Sequence, residues 1–128
     1  LIVIAMIGIL IASGFFIFVG GVRARGRDAR REDDIKQFRV ALELYNVNRR
    51  QYPVCPEDIV GDCALDALSR DGILNTAPRD PRNIGGACGD AGVYRYCYGS
   101  NGSSYVLRYN LETDSIPGKT PGWQIVSP

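Results

Sequence analysis

The chain opens with an uninterrupted apolar segment. Residues 1–22, LIVIAMIGILIASGFFIFVGGV, carry no charged side chain. As a helix rising ~1.5 Å per residue they would span ~33 Å, enough to cross the hydrocarbon core of a bilayer. A surface helix of a soluble domain has a polar face, which this segment lacks. A signal peptide fits poorly, because a basic leading region and an A-x-A-like cleavage site are missing. The pattern therefore predicts a helix with apolar surroundings on every side, and a membrane anchor is the simplest hypothesis.

Glycines interrupt the later part of this apolar helix. Gly14, Gly20 and Gly21 each destabilise a helix interior by about 1 kcal/mol relative to Ala. We expect the helix to bend or unwind at these positions. Close packing of another helix against small residues is the alternative.

Residues 23–52 continue as an amphipathic helix, because no proline occurs before Pro53 and no glycine after Gly26. Their apolar side chains form two stripes. The first, expected to pack on a sheet, consists of Ile35, Phe38, Leu42 and Tyr45. The second, roughly opposite, consists of Val40, Leu44 and Val47. The second stripe predicts a further partner such as a neighbouring subunit, although isolated exposed apolar side chains are common.

Beyond Pro53 the pattern changes to short elements. A short helix is expected around residues 64–68, and residues 75–92 form a connection rich in glycine and proline. VYRYCY and SYVLRYNL alternate with period two and are joined through GSNGS, which predicts a β-hairpin, and GWQIV predicts a third strand. The fold class is therefore α+β: a long N-terminal helix (residues 1–52) packed on an antiparallel head (residues 53–128).

The predicted strands are rich in tyrosine. Period-two alternation places two sets of side chains on common faces: Tyr94, Tyr96 and Tyr98 on the first strand, and Tyr105, Leu107, Tyr109 and Leu111 on the second. We expect these faces to pack against the helix. A stacking platform for bases or sugars is the alternative.

Composition and charge exclude several function classes. Residues 1–52 carry nine Lys/Arg against five Asp/Glu, and residues 53–128 carry six against nine. Neither part is basic enough to indicate nucleic acid as the main partner. The chain has no histidine and no known catalytic or phosphate-binding motif, so neither an enzyme nor a cofactor is expected. A loose Ca²⁺ site among loop residues such as Asp62, Asp66 and Asp71 is an alternative without an EF-hand pattern.

Four cysteines occur in the small head: Cys55, Cys63, Cys88 and Cys97. Their spacing does not match paired zinc knuckles, so two disulfides are favoured over a metal site. Disulfides place the head outside the cytoplasm. Of the three possible connectivities we favour Cys55–Cys63 and Cys88–Cys97, because each closes a short loop rich in turn residues.

Arginines directly after the apolar segment conflict with a simple anchor. They are Arg23, Arg25, Arg27, Arg30 and Arg31. The positive-inside rule would keep this flank in the cytoplasm, whereas disulfides belong on the other side. A single-pass anchor satisfies only one of these two signals.

The order of segments carries a family resemblance. LIVIAMIGILIA followed by RARGRDARREDDIKQFRVALELYNVNRRQYP resembles the N-terminal helix of type IV pilins and of the major pseudopilins of type II secretion. The later GIL…APRDPRN, YRYCY and SYVLRYNLET are similar, more loosely, to the loop and sheet of bacterial pilin-like proteins.

The resemblance implies a structural subunit that self-assembles into a helical filament. The apolar helix would wait in the inner membrane with the head outside, and would then join the core of an extracellular pilus. The implied core residues are Leu1, Ile2, Ile4, Met6, Ile7, Ile9, Leu10, Phe15, Phe16 and Phe18. The arginines between residues 23 and 31 would pair with carboxylates of neighbouring subunits, with Arg23 and Arg25 as the main candidates.

The resemblance also implies partners and processing. A prepilin peptidase and the pilus assembly machinery would act on the chain. The family's methylated Phe and its assembly Glu would precede Leu1, so we expect the first few mature residues to be missing. The family's mid-helix proline has no counterpart here, which leaves any unwinding to the glycines.

Three hypotheses remain open from the sequence. The first is a pilin of a surface fibre used in adhesion, motility or DNA uptake. The second is a pseudopilin of a periplasmic filament acting in secretion or DNA uptake. The third is a membrane-anchored binding module that never polymerises.

Overall fold

The computed structural model describes the backbone of residues 1–60 and 62–128, and their side chains except those of residues 13, 15–18 and 57–60. The elements in chain order are α1 (Ile2–Arg49), β1 (Cys55–Val60), α2 (Asp62–Arg70), β2 (Cys97–Ser100), β3 (Tyr105–Leu111) and β4 (Gly122–Val126). The predicted α+β architecture, a long N-terminal helix followed by an antiparallel sheet, is therefore present.

Helix α1 is 48 residues long, or about 72 Å at 1.5 Å per residue. It continues as a helix through Gly14, Gly20 and Gly21, so these glycines do not unwind it in the single chain, and a bend or unwinding during assembly stays a prediction. A single glycine costs only about 1 kcal/mol, and the backbone hydrogen bonds of the adjoining turns persist. A Cβ added at any of the three would meet nothing within 4 Å, so close packing does not explain these glycines within one chain either.

The sheet has the order β1-β2-β3-β4 with every neighbouring pair antiparallel. The predicted hairpin joins β2 to β3 and closes at the pair Ser100 and Tyr105. The Asn101 carboxamide oxygen accepts hydrogen bonds from the backbone N–H groups of Ser103 and Ser104 at 3.0 and 3.1 Å. Gly102 takes a φ of 95°, which glycine adopts without strain.

The core lies between one face of α1 and one face of the sheet. From the helix, Ile35, Phe38 and Leu42 are buried, and Tyr45 is half-buried against them. From the sheet, the buried side chains are Tyr98, Tyr105, Leu107, Tyr109 and Leu111. The tyrosines of the sheet thus pack towards the helix, which leaves no stacked aromatic platform for bases or sugars on these positions.

Strand β1 was not expected from the sequence. Pro56 cannot donate to a ladder, and strand-forming residues are few in CPED. The strand is tolerated because it lies at the edge of the sheet and its register with β2 shifts between Cys55 and Ile59.

The predicted strand over residues 93–98 is mostly wrong, because β2 begins only at Cys97. Tyr94 instead makes an isolated bridge to Ile84. Its ring lies between two guanidinium groups, with centroid distances of 4.8 Å to Arg31 and 4.5 Å to Arg82. Because of these cation–π contacts, Tyr94 does not share a strand face with Tyr96 and Tyr98 as the sequence predicted.

The two disulfides join Cys55 to Cys63 and Cys88 to Cys97, which are the pairs favoured from the sequence. The first links β1 to α2. The second fastens the long connection before β2 to the sheet. Regular structure is sparse only in the region of Cys88, so the second cross-link restricts a connection that has few backbone hydrogen bonds of its own.

Candidate assembly surface

The first turns of α1 present apolar side chains to solvent. Between 51% and 105% of the surface is exposed for Leu1, Ile2, Ile4, Met6, Ile7, Ile9 and Leu10. The side chains of Phe15, Phe16 and Phe18, the other expected core residues, lie outside the described residues. In the described part of the chain, no helix has both the length and the apolar character that crossing a membrane requires.

The second apolar stripe of α1 is also exposed. Val40, Leu44 and Val47 are 69%, 48% and 76% accessible. They lie away from the buried stripe, between charged neighbours such as Lys36 and Glu43. No described side chain of the same chain covers the stripe, so the neighbouring-subunit hypothesis and the interpretation as scattered surface residues both remain open.

A buried ion cluster fastens α1 to the head where the helix leaves it. We call it the ionic clamp; it consists of Arg27, Asp28, Arg31, Asp80 and Glu112. Arg31 is fully buried and donates from Nε and Nη2 to the Asp80 carboxylate at 2.7 and 3.0 Å. Its Nη1 donates to Asp28 and Glu112, each at 2.7 Å. One guanidinium therefore joins three carboxylates, two of them from the head.

Asp28 completes the clamp from the helix side. Its carboxylate accepts hydrogen bonds from the backbone N–H groups of Glu112 and Thr113 at 3.0 and 2.7 Å, and from the Thr113 hydroxyl at 2.7 Å. These contacts pin the end of β3 and the residues after it to the first helical turn that touches the head. A buried carboxylate with this many donors is well compensated for its lost hydration.

Glu112 is held as an anion. Arg27 donates to it from Nε at 2.7 Å and also from Nη2. The hydrogen bonds from Arg27 lower the pKa of Glu112 to about 2; burial opposes this, and Arg31 adds to it. Conversely, burial alone would lower the pKa of Arg31, but its carboxylate partners raise it above the ordinary value. Arg82 also lies 3.6 Å from Glu112. With Arg27 and Arg31 it makes three positive charges, which balance the three carboxylates of the ionic clamp.

Two further polar contacts extend this attachment along α1. The Tyr109 hydroxyl donates to Glu32, and Lys119 Nζ donates to the same carboxylate at 2.6 Å. Burial and the Glu32 carboxylate raise the pKa of Tyr109. Tyr96 donates to Asp34 at 2.7 Å. Polar groups of the helix thus bind the head over almost two turns before the apolar core begins.

For Arg27 and Arg31 the structure corrects the expectation of pairing with neighbouring subunits, whereas for Arg23 and Arg25 it stays a prediction. Arg27 and Arg31 pair within the chain, and Arg30 lies 4.0 Å from Asp34. Arg23 and Arg25 remain exposed, and no ion pair within the described residues includes either. The physical reason is proximity: the head supplies carboxylates directly beside the helix.

A sequence signal for the clamp did exist. Asp28, Arg31 and Ile35 follow the three- and four-residue spacing that Phe38 and Leu42 continue. The buried stripe therefore extends into charged residues, and buried charges need partners. The spacing does not predict which head residues pair with these charges, because Asp80 and Glu112 are remote in sequence.

No group of three or more metal-binding side chains gathers among the described residues. Comparison with known protein families, with curated proteins and with solved structures finds no match. The geometry of the chain itself is therefore the basis for the proposals below.

Proposed function

We propose that this protein is the structural subunit of a type IV pilus-like filament, assembled by packing copies of α1 side by side. The observation that carries the proposal is the exposed apolar N-terminal part of α1, where nine large apolar side chains among residues 1–11 are at least half exposed. Burying one Ile or Leu is worth about 1.5–3 kcal/mol. Large contiguous apolar patches exposed on a monomer mark interaction sites.

The attachment of α1 supports the same proposal. A subunit that assembles through its helix and displays its head must keep the two in a fixed relation. The ionic clamp fixes this relation through Arg31 on the helix and Asp80 on the head. It lies just after the apolar segment of residues 1–22. Residues 1–22 then extend from a part of α1 whose orientation on the head is fixed.

Assembly would place Val40, Leu44 and Val47 between heads of adjacent subunits, and Arg23 and Arg25 near carboxylates of a neighbour. Residence in the inner membrane before assembly, processing by a prepilin peptidase and delivery by pilus machinery belong to the same proposal and follow from the family resemblance. The pseudopilin alternative shares the fold and differs in location and fibre length.

Shearing the surface of the source cells and imaging the released material by cryo-electron microscopy tests the proposal. Long fibres that contain this chain as their main protein by mass spectrometry are the expected result. Retention in the membrane fraction, with fibres that lack the chain, would contradict it. A fibre formed only when the protein is overproduced would favour the pseudopilin alternative.

A further inference from the structure

A small cavity lies apart from the candidate assembly surface. It has a volume of about 180 Å³ and opens between α1, α2 and the loop of residues 78–83. Pockets for drug-sized ligands are larger, roughly 300–1,000 Å³. The cavity therefore suits a small molecule or a single ring.

The floor of the cavity is apolar and aromatic. Phe38, Tyr96 and Leu107 form it, and each is buried in the core. The Tyr96 hydroxyl is engaged with Asp34, so the ring rather than the hydroxyl is offered to a ligand. Such a floor favours a flat or aliphatic body over a bare inorganic ion.

The rim of the cavity is cationic. Arg79 and Arg95 both line it, together with the carboxylates of Asp62 and Asp80. Asp80 is neutralised by the two hydrogen bonds from Arg31. Asp62 is exposed and lies at the start of α2. Among the described lining residues the remaining balance is two guanidinium groups against one carboxylate, which attracts an anion.

Arg95 has unused hydrogen-bonding capacity. Its Nη1 donates to the Gly86 carbonyl at 2.9 Å, but its Nε is buried and finds no acceptor among the described residues. Arg79 also makes no ion pair with the described part of the chain. Because the Nε of Arg95 has almost no accessible surface, a ligand in the cavity would meet the Nη groups of Arg95, and Nη2 donates no hydrogen bond within the described residues. A carboxylate matches the planar fork of a guanidinium.

We propose that this cavity binds a small organic carboxylate, with its charged end on Arg95 and Arg79 and its body on the ring of Tyr96. Acidic monosaccharides and aromatic acids share this chemistry. The cavity meets α1 at Phe38, on the helix face roughly opposite Val40 and Val47, so ligand binding and filament assembly can be tested separately.

Titration of the full chain in uncharged detergent micelles, followed by ¹H–¹⁵N spectra of the arginine Nε–H groups, tests the site. The probes are sodium benzoate and sodium glucuronate, with glucose as the neutral counterpart and inorganic phosphate as an anion without a body. Saturable shifts of the Arg95 resonance with either carboxylate, and none with glucose, are expected. A response to only one carboxylate identifies which body the floor accepts.

Two variants complete the test. Arg95→Gln should weaken carboxylate binding at least ten-fold, whereas Arg70→Gln, an equal charge change at the far end of α2, should leave it unaltered. Fluorescence of Trp123 verifies that both variants are folded. Absence of saturable binding of either carboxylate, equal weakening in both variants, or phosphate binding as tightly as the carboxylates would overturn the proposal.

Discussion

Arg31 and Asp80 form a two-pronged ion pair, with Nε and Nη2 at 2.7 and 3.0 Å from the two carboxylate oxygens. Both side chains are fully buried. The pair joins a helix to a loop that has little regular structure of its own. It therefore determines both the orientation of the helix base and the path of the loop.

Replacing Asp80 by Asn is expected to destabilise the head by about 3–5 kcal/mol, because a buried guanidinium loses its charged partner. Urea unfolding, followed by the fluorescence of Trp123, measures the change. Asp66→Asn is the matched control, since Asp66 pairs with Arg70 on the surface and exposed pairs contribute about 0–1 kcal/mol. Equal losses in both variants would contradict the assigned role of the clamp.

Acid should weaken the head through Glu112. Its pKa falls from the ordinary 4.5 to about 2 on folding, so its contribution is complete above pH 4.5 and is lost as the pH falls towards 2. A shift of this size corresponds to at most about 3 kcal/mol. Unfolding free energies measured between pH 2 and 6 should fall less steeply in Glu112→Gln than in the parent. Parallel curves would show that Glu112 is not the group responsible.

The disulfides should each stabilise the head by about 2–3 kcal/mol, since they close loops with sequence separations of 8 and 9. Changing Cys88 and Cys97 together to Ser is expected to lower the melting temperature while leaving Cys55–Cys63 intact. Mass spectrometry of peptides from the unreduced parent chain checks the pairing. Cross-linked peptides joining Cys55 or Cys63 to Cys88 or Cys97 would contradict it.

Substitutions on the exposed stripe should affect filament assembly without affecting folding. Val40→Glu and Val47→Glu should change the stability of the single chain by less than about 0.5 kcal/mol, because both side chains face solvent. In the proposed filament they should abolish or shorten fibres, as counted by electron microscopy of sheared material. Leu42→Ala, on the buried stripe, should instead cost about 2–5 kcal/mol of stability. Normal fibres from both glutamate variants would show that this stripe is not a contact between subunits.

The helix glycines can be tested in the same way. Gly14→Ala and Gly20→Ala should each stabilise the helical state of α1 by about 1 kcal/mol. Neither should cause a clash within the chain, because nothing lies within 4 Å of the added Cβ. Head stability by Trp123 fluorescence should not change. Reduced fibre yield would show that assembly needs a flexible or unwound helix; unchanged yield would show that the continuous helix suffices.

Local pattern by itself determined much of this protein. The apolar segment, the amphipathic helix with Ile35, Phe38 and Leu42 on one face, and the hairpin at Asn101–Gly102 follow from periodicity and turn chemistry, which act over a few residues. The favoured cysteine pairs also close short loops. Strand β1 and the start of β2 escaped prediction, because edge position and the contacts of Tyr94 override local propensity.

The tertiary structure alone decided which charges meet. Arg31 and Asp80 are 49 residues apart, and Arg27 and Glu112 are 85 apart, so no local pattern relates them. Of the five arginines expected to reach neighbouring subunits, Arg27 and Arg31 bind the head. Arg30 lies 4.0 Å from Asp34 of its own helix, and Arg23 and Arg25 are exposed. Sequence periodicity places a charge on a helix face, but only the folded chain brings the opposite charge within hydrogen-bonding distance.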